Sequence, residues 1–148
     1  MIISASCRIK APRTRVFQAF ADLESLPQHV RAITGIEMLT PGEVGVGTRF
    51  RETRVMFGKE ASEIMEVTDF SPPSRLVEEA SSSGMHYTSV WSFTEEEGVT
   101  TVTIGFTGKA ETFMAKVLSL IFSLMAGSMK KAFLTDMDDL KAVIEAEG

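Results

Sequence analysis

A carboxylate and a guanidinium two residues apart, Glu52 and Arg54, lie in a segment whose residue types alternate as a strand's do. Alternation places them on one parity with Phe50 and Met56. If that face is the inner one, the pair would lie inside the molecule, neutralising each other or orienting a polar group of a ligand. The opposite parity carries Arg49, Arg51, Val55 and Phe57, so alternation alone leaves the face open; the reading taken forward puts Glu52 and Arg54 inside. Acid–base catalysis needs a proton acceptor near a substrate carbon and a donor near its carbonyl oxygen. Glu52 as base, with Arg54 and Tyr87 orienting or donating, is the constellation this chain offers.

The remaining reactive residue types are sparse. His86 shares parity with Thr88 and Val90, opposite Trp91, which puts it on the solvent side, and His29 falls in a loop or helix end. Surface or capping roles fit both better than proton transfer. Cys7 is the one cysteine and alternates with Ile3, Ala5 and Ile9, so it reads as a buried, reduced thiol in a strand. Two distant histidines and one cysteine give no metal-ligand spacing. No nucleophile turn and no phosphate-binding loop is present. Neither a metal nor a cofactor is expected.

These residues need elements to hold them. Ile2 to Lys10 alternates as a strand. Ala11-Pro12 then opens a short amphipathic helix over Arg13 to Ala21, with Val16, Phe17 and Phe20 on one side. Leu23 to Val30 adds further helical turns. Strands are expected over Gly35–Thr40, Thr48–Phe57, Lys59–Phe70, Arg75–Ser82, Met85–Thr94 and Val99–Gly108, separated by turn formers such as Gly58, Pro72-Pro73, Ser83-Gly84 and Glu97-Gly98. Short connections imply an antiparallel meander. Thr112 to Glu147 reads as one long helix whose stripe runs from Met114 through Leu118, Ile121, Met125, Met129, Phe133, Met137 and Leu140 to Ile144. Gly127-Ser128 would allow a bend in it.

Composition excludes several function classes. With 148 residues, 44% hydrophobic and 24% charged, the chain fits one ordinary globular domain. A formal charge of −5 argues against nucleic acid or an anionic membrane held by bulk electrostatics. The acidic runs at Glu95–Glu97 and at Asp136, Asp138 and Asp139 read as solvated turn and helix surface. Val117 to Gly127 is apolar but shorter than the roughly 20 residues a bilayer span needs, so no stable membrane insertion is expected. Met1 to Lys10 lacks a secretory pattern, and a cytoplasmic location is expected.

Ile9-Lys10-Ala11-Pro12 leading into Val16-Phe17, Asp22-Leu23-Glu24-Ser25-Leu26-Pro27, Gly45-Val46-Gly47-Thr48, Val67 through Leu76 with its Pro72-Pro73, Trp91-Ser92-Phe93, Gly98 through Thr103 and Leu140-Lys141 occur in an order that resembles the polyketide cyclase/dehydrase branch of the START and Bet v 1-like (SRPBCC) superfamily. The resemblance covers nearly the whole chain. It implies an α+β helix-grip: about seven antiparallel strands curved around the long C-terminal helix, with two short helices after the first strand. One departure is His29, where many relatives carry tryptophan. Relatives include carriers of lipids, sterols and plant metabolites as well as aromatase/cyclases, so the fold class leaves the function open.

Parity then nominates residues that would meet a ligand. Tyr87, Ser89, Trp91 and Phe93 share one face, and Val102, Ile104 and Phe106 share one face of the next strand; both sets should point at the helix, filling a core or lining a cavity. With Phe50, Glu52 and Arg54 from the earlier strand, and Met114, Leu118, Ile121 and Met125 from the helix, they make the candidate ligand site. Leu120, Phe122 and Leu124 lie off the main stripe, so that stretch needs a second cover: the small helices, a partner subunit or a hydrophobic guest. The leading expectation is binding of one hydrophobic or amphipathic small molecule or lipid between sheet and helix. A cofactor-free polyketide cyclase or dehydratase is the alternative, and a non-catalytic homodimerising module the third reading.

Overall fold

The computed structural model describes residues 2–147, the side chain of Phe122 excepted. Seven strands form one antiparallel sheet: β1 (Ile2–Ile9), β2 (Ile33–Met38), β3 (Arg49–Met56), β4 (Lys59–Ser71), β5 (Arg75–Ser82), β6 (Met85–Glu96) and β7 (Val99–Ala110). Their order across the sheet is β1-β7-β6-β5-β4-β3-β2. Strands β2 to β7 follow one another as a meander, as their short connections require. Strand β1 instead closes onto the last strand, Ile3 opposite Phe106 and Ile9 opposite Thr100.

Between β1 and β2 the chain crosses one end of the sheet as α1 (Arg13–Ala21), a single 3₁₀ turn (Leu23–Ser25) and α2 (Leu26–His29). Pro12 stands before α1 with extended backbone angles and has no amide hydrogen to satisfy. The free Arg13 N–H donates to Glu95 Oε1 at 2.7 Å, which fastens the start of α1 to the end of β6. Val16, Phe17 and Phe20 are buried beneath it. Phe93 sits edge-on to Phe17 and Phe20, at 5.1 and 5.5 Å between ring centroids. That end of the sheet is a dry aromatic core.

The C-terminal region departs from one unbroken helix. It is divided into α3 (Phe113–Leu124) and α4 (Ala126–Glu147), and the directions of Phe113–Ile121 and Ala126–Glu147 differ by 76°. The break falls at Met125, just before the small, weakly helix-forming Gly127 and Ser128. Past it the expected stripe holds: Met137, Leu140 and Ile144 are buried, chiefly against β1. Burying side chains of this size contributes about 1.5–3 kcal/mol each.

Before the break, Ala115 alone among the described side chains of α3 is buried. Thr112 caps the helix by accepting the Ala115 N–H at 3.1 Å. Ala115 and Thr112 rest on Gly84 in the β5–β6 turn. Gly84 has φ +76°, and a Cβ there would come within 2.5 Å of Thr112 Oγ1, so the turn needs glycine twice over. From that foothold α3 swings outward, leaving Met114, Leu118 and Ile121 exposed by 68%, 40% and 53%.

Candidate ligand-binding site

The face of β3 left open by alternation is settled: Phe50 is buried, Glu52 and Arg54 are largely covered, and Arg49 and Val55 point to solvent. Because side chains two apart on a strand share a face, Arg54 Nε reaches Glu52 Oε2 at 3.1 Å. Its Nη2 crosses to α4 and donates to Asp136 Oδ2 at 2.8 Å. One guanidinium thus serves two carboxylates from two elements. Burial works against Arg54 keeping its charge, but Glu52 and Asp136 together raise its pKa above the ordinary value.

Asp136 was expected on solvated helix surface, and the structure corrects this. It is 7% exposed, and burial outweighs Arg54 in pushing its carboxyl upward. Its second oxygen, Oδ1, is buried with no hydrogen-bond partner among the described residues. Asp139 is likewise engaged, accepting from the Arg31 amide at 3.0 Å and the Arg31 guanidinium at 3.1 Å. The Glu95–Glu97 run lies exposed, as expected.

Two further carboxyl groups face inward. Glu78 on β5 is 9% exposed and accepts from Trp91 Nε1 at 3.2 Å. Register explains the contact, because Leu76 pairs with Trp91 and Glu78 with Ser89, making Glu78 and Trp91 diagonal neighbours on one face. Burial, then the charge of Glu52, pushes the Glu78 carboxyl up to about 7, although Trp91 and Arg54 pull the other way. Glu63 on β4 stands directly opposite Glu52. Burial and that neighbour raise its pKa as well.

Glu52, Arg54, Glu78, Trp91 and Asp136 line a cavity of about 50 Å³, walled on its apolar side by Phe20, Leu26, Val30, Ile33, Leu76 and Leu140. This holds water-sized guests at most, so a larger ligand needs the space to widen. A larger hollow, about 480 Å³, is an open groove bordered by Ile64, Glu66, Glu79, Ser81 and His86. The ionic cluster does not reach it.

The nominated residues therefore divide. Glu52, Arg54 and Trp91 meet at the cavity. Tyr87 stacks on Phe106, ring centroids 5.6 Å apart, and Phe106 meets Phe133 of α4 at 5.2 Å. None of the three lines the cavity, and burial, then Glu63, raises the Tyr87 pKa. Ser89 and Ile104 are buried in the same sheet face, and Phe50 and Phe93 in the core. Met114, Leu118 and Ile121 lie on the outswung α3, and Met125 at the break is half-buried. Leu120 and Leu124, named for a dimer contact, are 71% and 87% exposed, while the Phe122 side chain is outside the described residues. His86 bonds Ser81 Oγ at 2.8 Å and Glu79 Oε1 at 2.7 Å on the outer face. Cys7 is half-buried beneath α4, its pKa raised chiefly by burial, which disfavours the thiolate.

Glu63, Glu78 and Asp136 escaped the sequence reading. Glu63 alternates with Met65 and Val67, and Glu78 with Leu76 and Ala80. Asp136 is three residues past Phe133 and four before Leu140, on the buried side of the stripe. Those spacings carried the signal.

A curved antiparallel sheet gripping a C-terminal helix, with an ionic cavity between them, defines a Bet v 1-like helix-grip protein. The family described as polyketide cyclase / dehydrase and lipid transport matches residues 2–145, and the chain belongs to it. Among solved structures it is similar to TTHA0849 from Thermus thermophilus, with TM-score 0.81 and 21% identity over 100% of this chain and 99% of that one. It is also similar to hypothetical protein jhp0584 from Helicobacter pylori, with TM-score 0.76 and 16% identity over 97% and 87%. A third likeness is to the di-domain ARO/CYC StfQ from the steffimycin biosynthetic pathway, with TM-score 0.72 and 15% identity over 98% of this chain and 45% of that one. No curated protein sequence matches the chain. Family and fold support a ligand-binding or cyclase role.

Proposed function

We propose that this protein binds one hydrophobic or amphipathic small molecule between the sheet and the C-terminal helices. The polar end of the guest meets the Glu52–Arg54–Asp136–Glu78 cluster, and its apolar body lies toward α3. The observation that carries the reading is the buried cluster beside a cavity. Removing charges from water costs several kcal/mol each unless partners compensate, and among the described residues Asp136 Oδ1 has none. A core built only for stability would favour apolar residues there. The exposed apolar surface of α3 is the second support, since it offers cover for a guest wider than the present cavity.

Native mass spectrometry of the protein purified without detergent tests this. A retained adduct of a few hundred daltons is expected. Its absence, together with no change in the emission of Trp91, the one tryptophan, on titration with fatty amines, alcohols or acids, defeats the reading.

A second reading, cofactor-free cyclase or dehydratase chemistry, is favoured by Glu78. A carboxyl with a pKa of about 7 is poised to give or take a proton at neutral pH, and Trp91 fixes its position. On this reading Glu78→Gln lowers turnover of a polyketide-like substrate by about 10²-fold or more and leaves substrate binding near the wild-type level. Unchanged turnover in the folded variant removes the catalytic role.

A further inference from the structure

Resting on the ligand-binding reading, the balance of groups around the cavity restricts what the polar end of the guest can be. Glu52, Glu63, Glu78 and Asp136 bring four carboxyl groups to this part of the interior, and among the described residues Arg54 is the single cation hydrogen-bonded to them. That cation is already committed, giving Nε to Glu52 and Nη2 to Asp136. One acceptor remains to be answered. Asp136 Oδ1 is buried without a partner among the described residues, and Glu78, which is 9% exposed, receives a bond from Trp91. Both residues line the same cavity. A carboxylate or phosphate guest would add negative charge to an interior that already sets four carboxyl groups against one guanidinium. A metal ion does not supply the missing charge, since among the described residues no group of three or more His, Cys, Asp or Glu converges to hold one.

We infer that the cavity beside Glu78, Asp136 and Trp91 takes the protonated amine of an amphiphile, whose apolar body extends past Phe133 and Phe106 toward α3. An ammonium brings N–H donors without acceptors, which is what Asp136 Oδ1 lacks and what the Glu78 carboxylate beside it can also accept. It reduces the excess of carboxyl groups over cations, and the Trp91 ring beside them is the aromatic type that best attracts a cation. Phe20, 5.4 Å from Trp91 between ring centroids, closes the wall behind.

The test uses three probes with one apolar body, n-decylamine, n-decanol and decanoate, each below its micellar concentration and titrated against Trp91 emission and by calorimetry. At pH 8 the amine is expected to bind at least about tenfold more tightly than the alcohol, as for a hydrogen bond to a charged group, and decanoate more weakly than either. In Glu78→Gln, shown folded by its thermal transition, the preference for amine over alcohol should shrink by about tenfold. In the wild type the preference should be smaller at pH 5.5 than at pH 8. Glu78 holds its proton at the lower pH, and Glu63 and Asp136, both raised by burial, titrate in the same sense while Arg54 stays charged. Equal or tighter binding of decanoate, or a preference unmoved by Glu78→Gln, overturns the inference and leaves ligand binding standing. Binding by none of the three, with no adduct in native mass spectra, overturns ligand binding and the inference together.

Discussion

Glu78 ties the chemistry of the interior to the stability of the molecule. Its pKa is about 7 when folded, against 4.5 for an ordinary glutamate. Below pH 4.5 the group is neutral in folded and unfolded chains alike and carries no penalty. As pH rises from 4.5 to 7 the unfolded chain gives up this proton first, so stability falls. Above the folded value the loss is complete, on the order of 3 kcal/mol. Glu63 and Asp136 shift in the same direction. Glu78→Gln keeps the shape and an acceptor oxygen for Trp91 but removes the charge. It is expected to melt higher than wild type at pH 8 and about equally at pH 4.5, checked by thermal denaturation at both values. An equal melting temperature at pH 8 would mean that Glu78 is not held in a poorly solvated site. At this scale the sequence was half legible. Parity grouped Glu52 and Arg54 with Phe50, but Val55 and Phe57 on the other parity left the inner face undecided. Glu63, Glu78 and Asp136 satisfied the same periodicities, yet carboxylates so seldom face a core that residue type outweighed position.

Among the elements, α3 is the least secured. Its foothold is the Thr112 cap, Ala115 and the Gly84 turn. The Glu111 amide also donates to Gly84 O at 2.8 Å. Beyond that point apolar side chains face water, and a short helix without an apolar partner is marginal. Amide hydrogens over Lys116–Leu124 should therefore exchange fast without ligand, while those of Phe133–Ile144 stay protected. Binding of a guest should slow the first group specifically. Slow exchange over both stretches before ligand is added would contradict the open arrangement of α3. The strands and α1 were legible because alternation, glycine turns and Pro12 all agreed. The break was not. A stripe continuous from Met114 to Ile144 gives no sign of where sheet contact ends, and Gly127-Ser128 pointed only to its neighbourhood.

The sheet as a whole joins its first strand to its last, a pairing that the segment pattern did not specify. Every pair among β2 to β7 forms within a short stretch of chain, but Ile3 must wait for Phe106 and Ile9 for Thr100. The ribosome adds about 5–20 residues per second. The N-terminal strand is thus made some 5–20 seconds before its partner and spends that interval with bare backbone edges and the apolar residues Ile3, Ala5 and Ile9 uncovered. Such a segment is open to capture by other nascent chains, so production of this protein should depend on chaperones more than its modest size suggests.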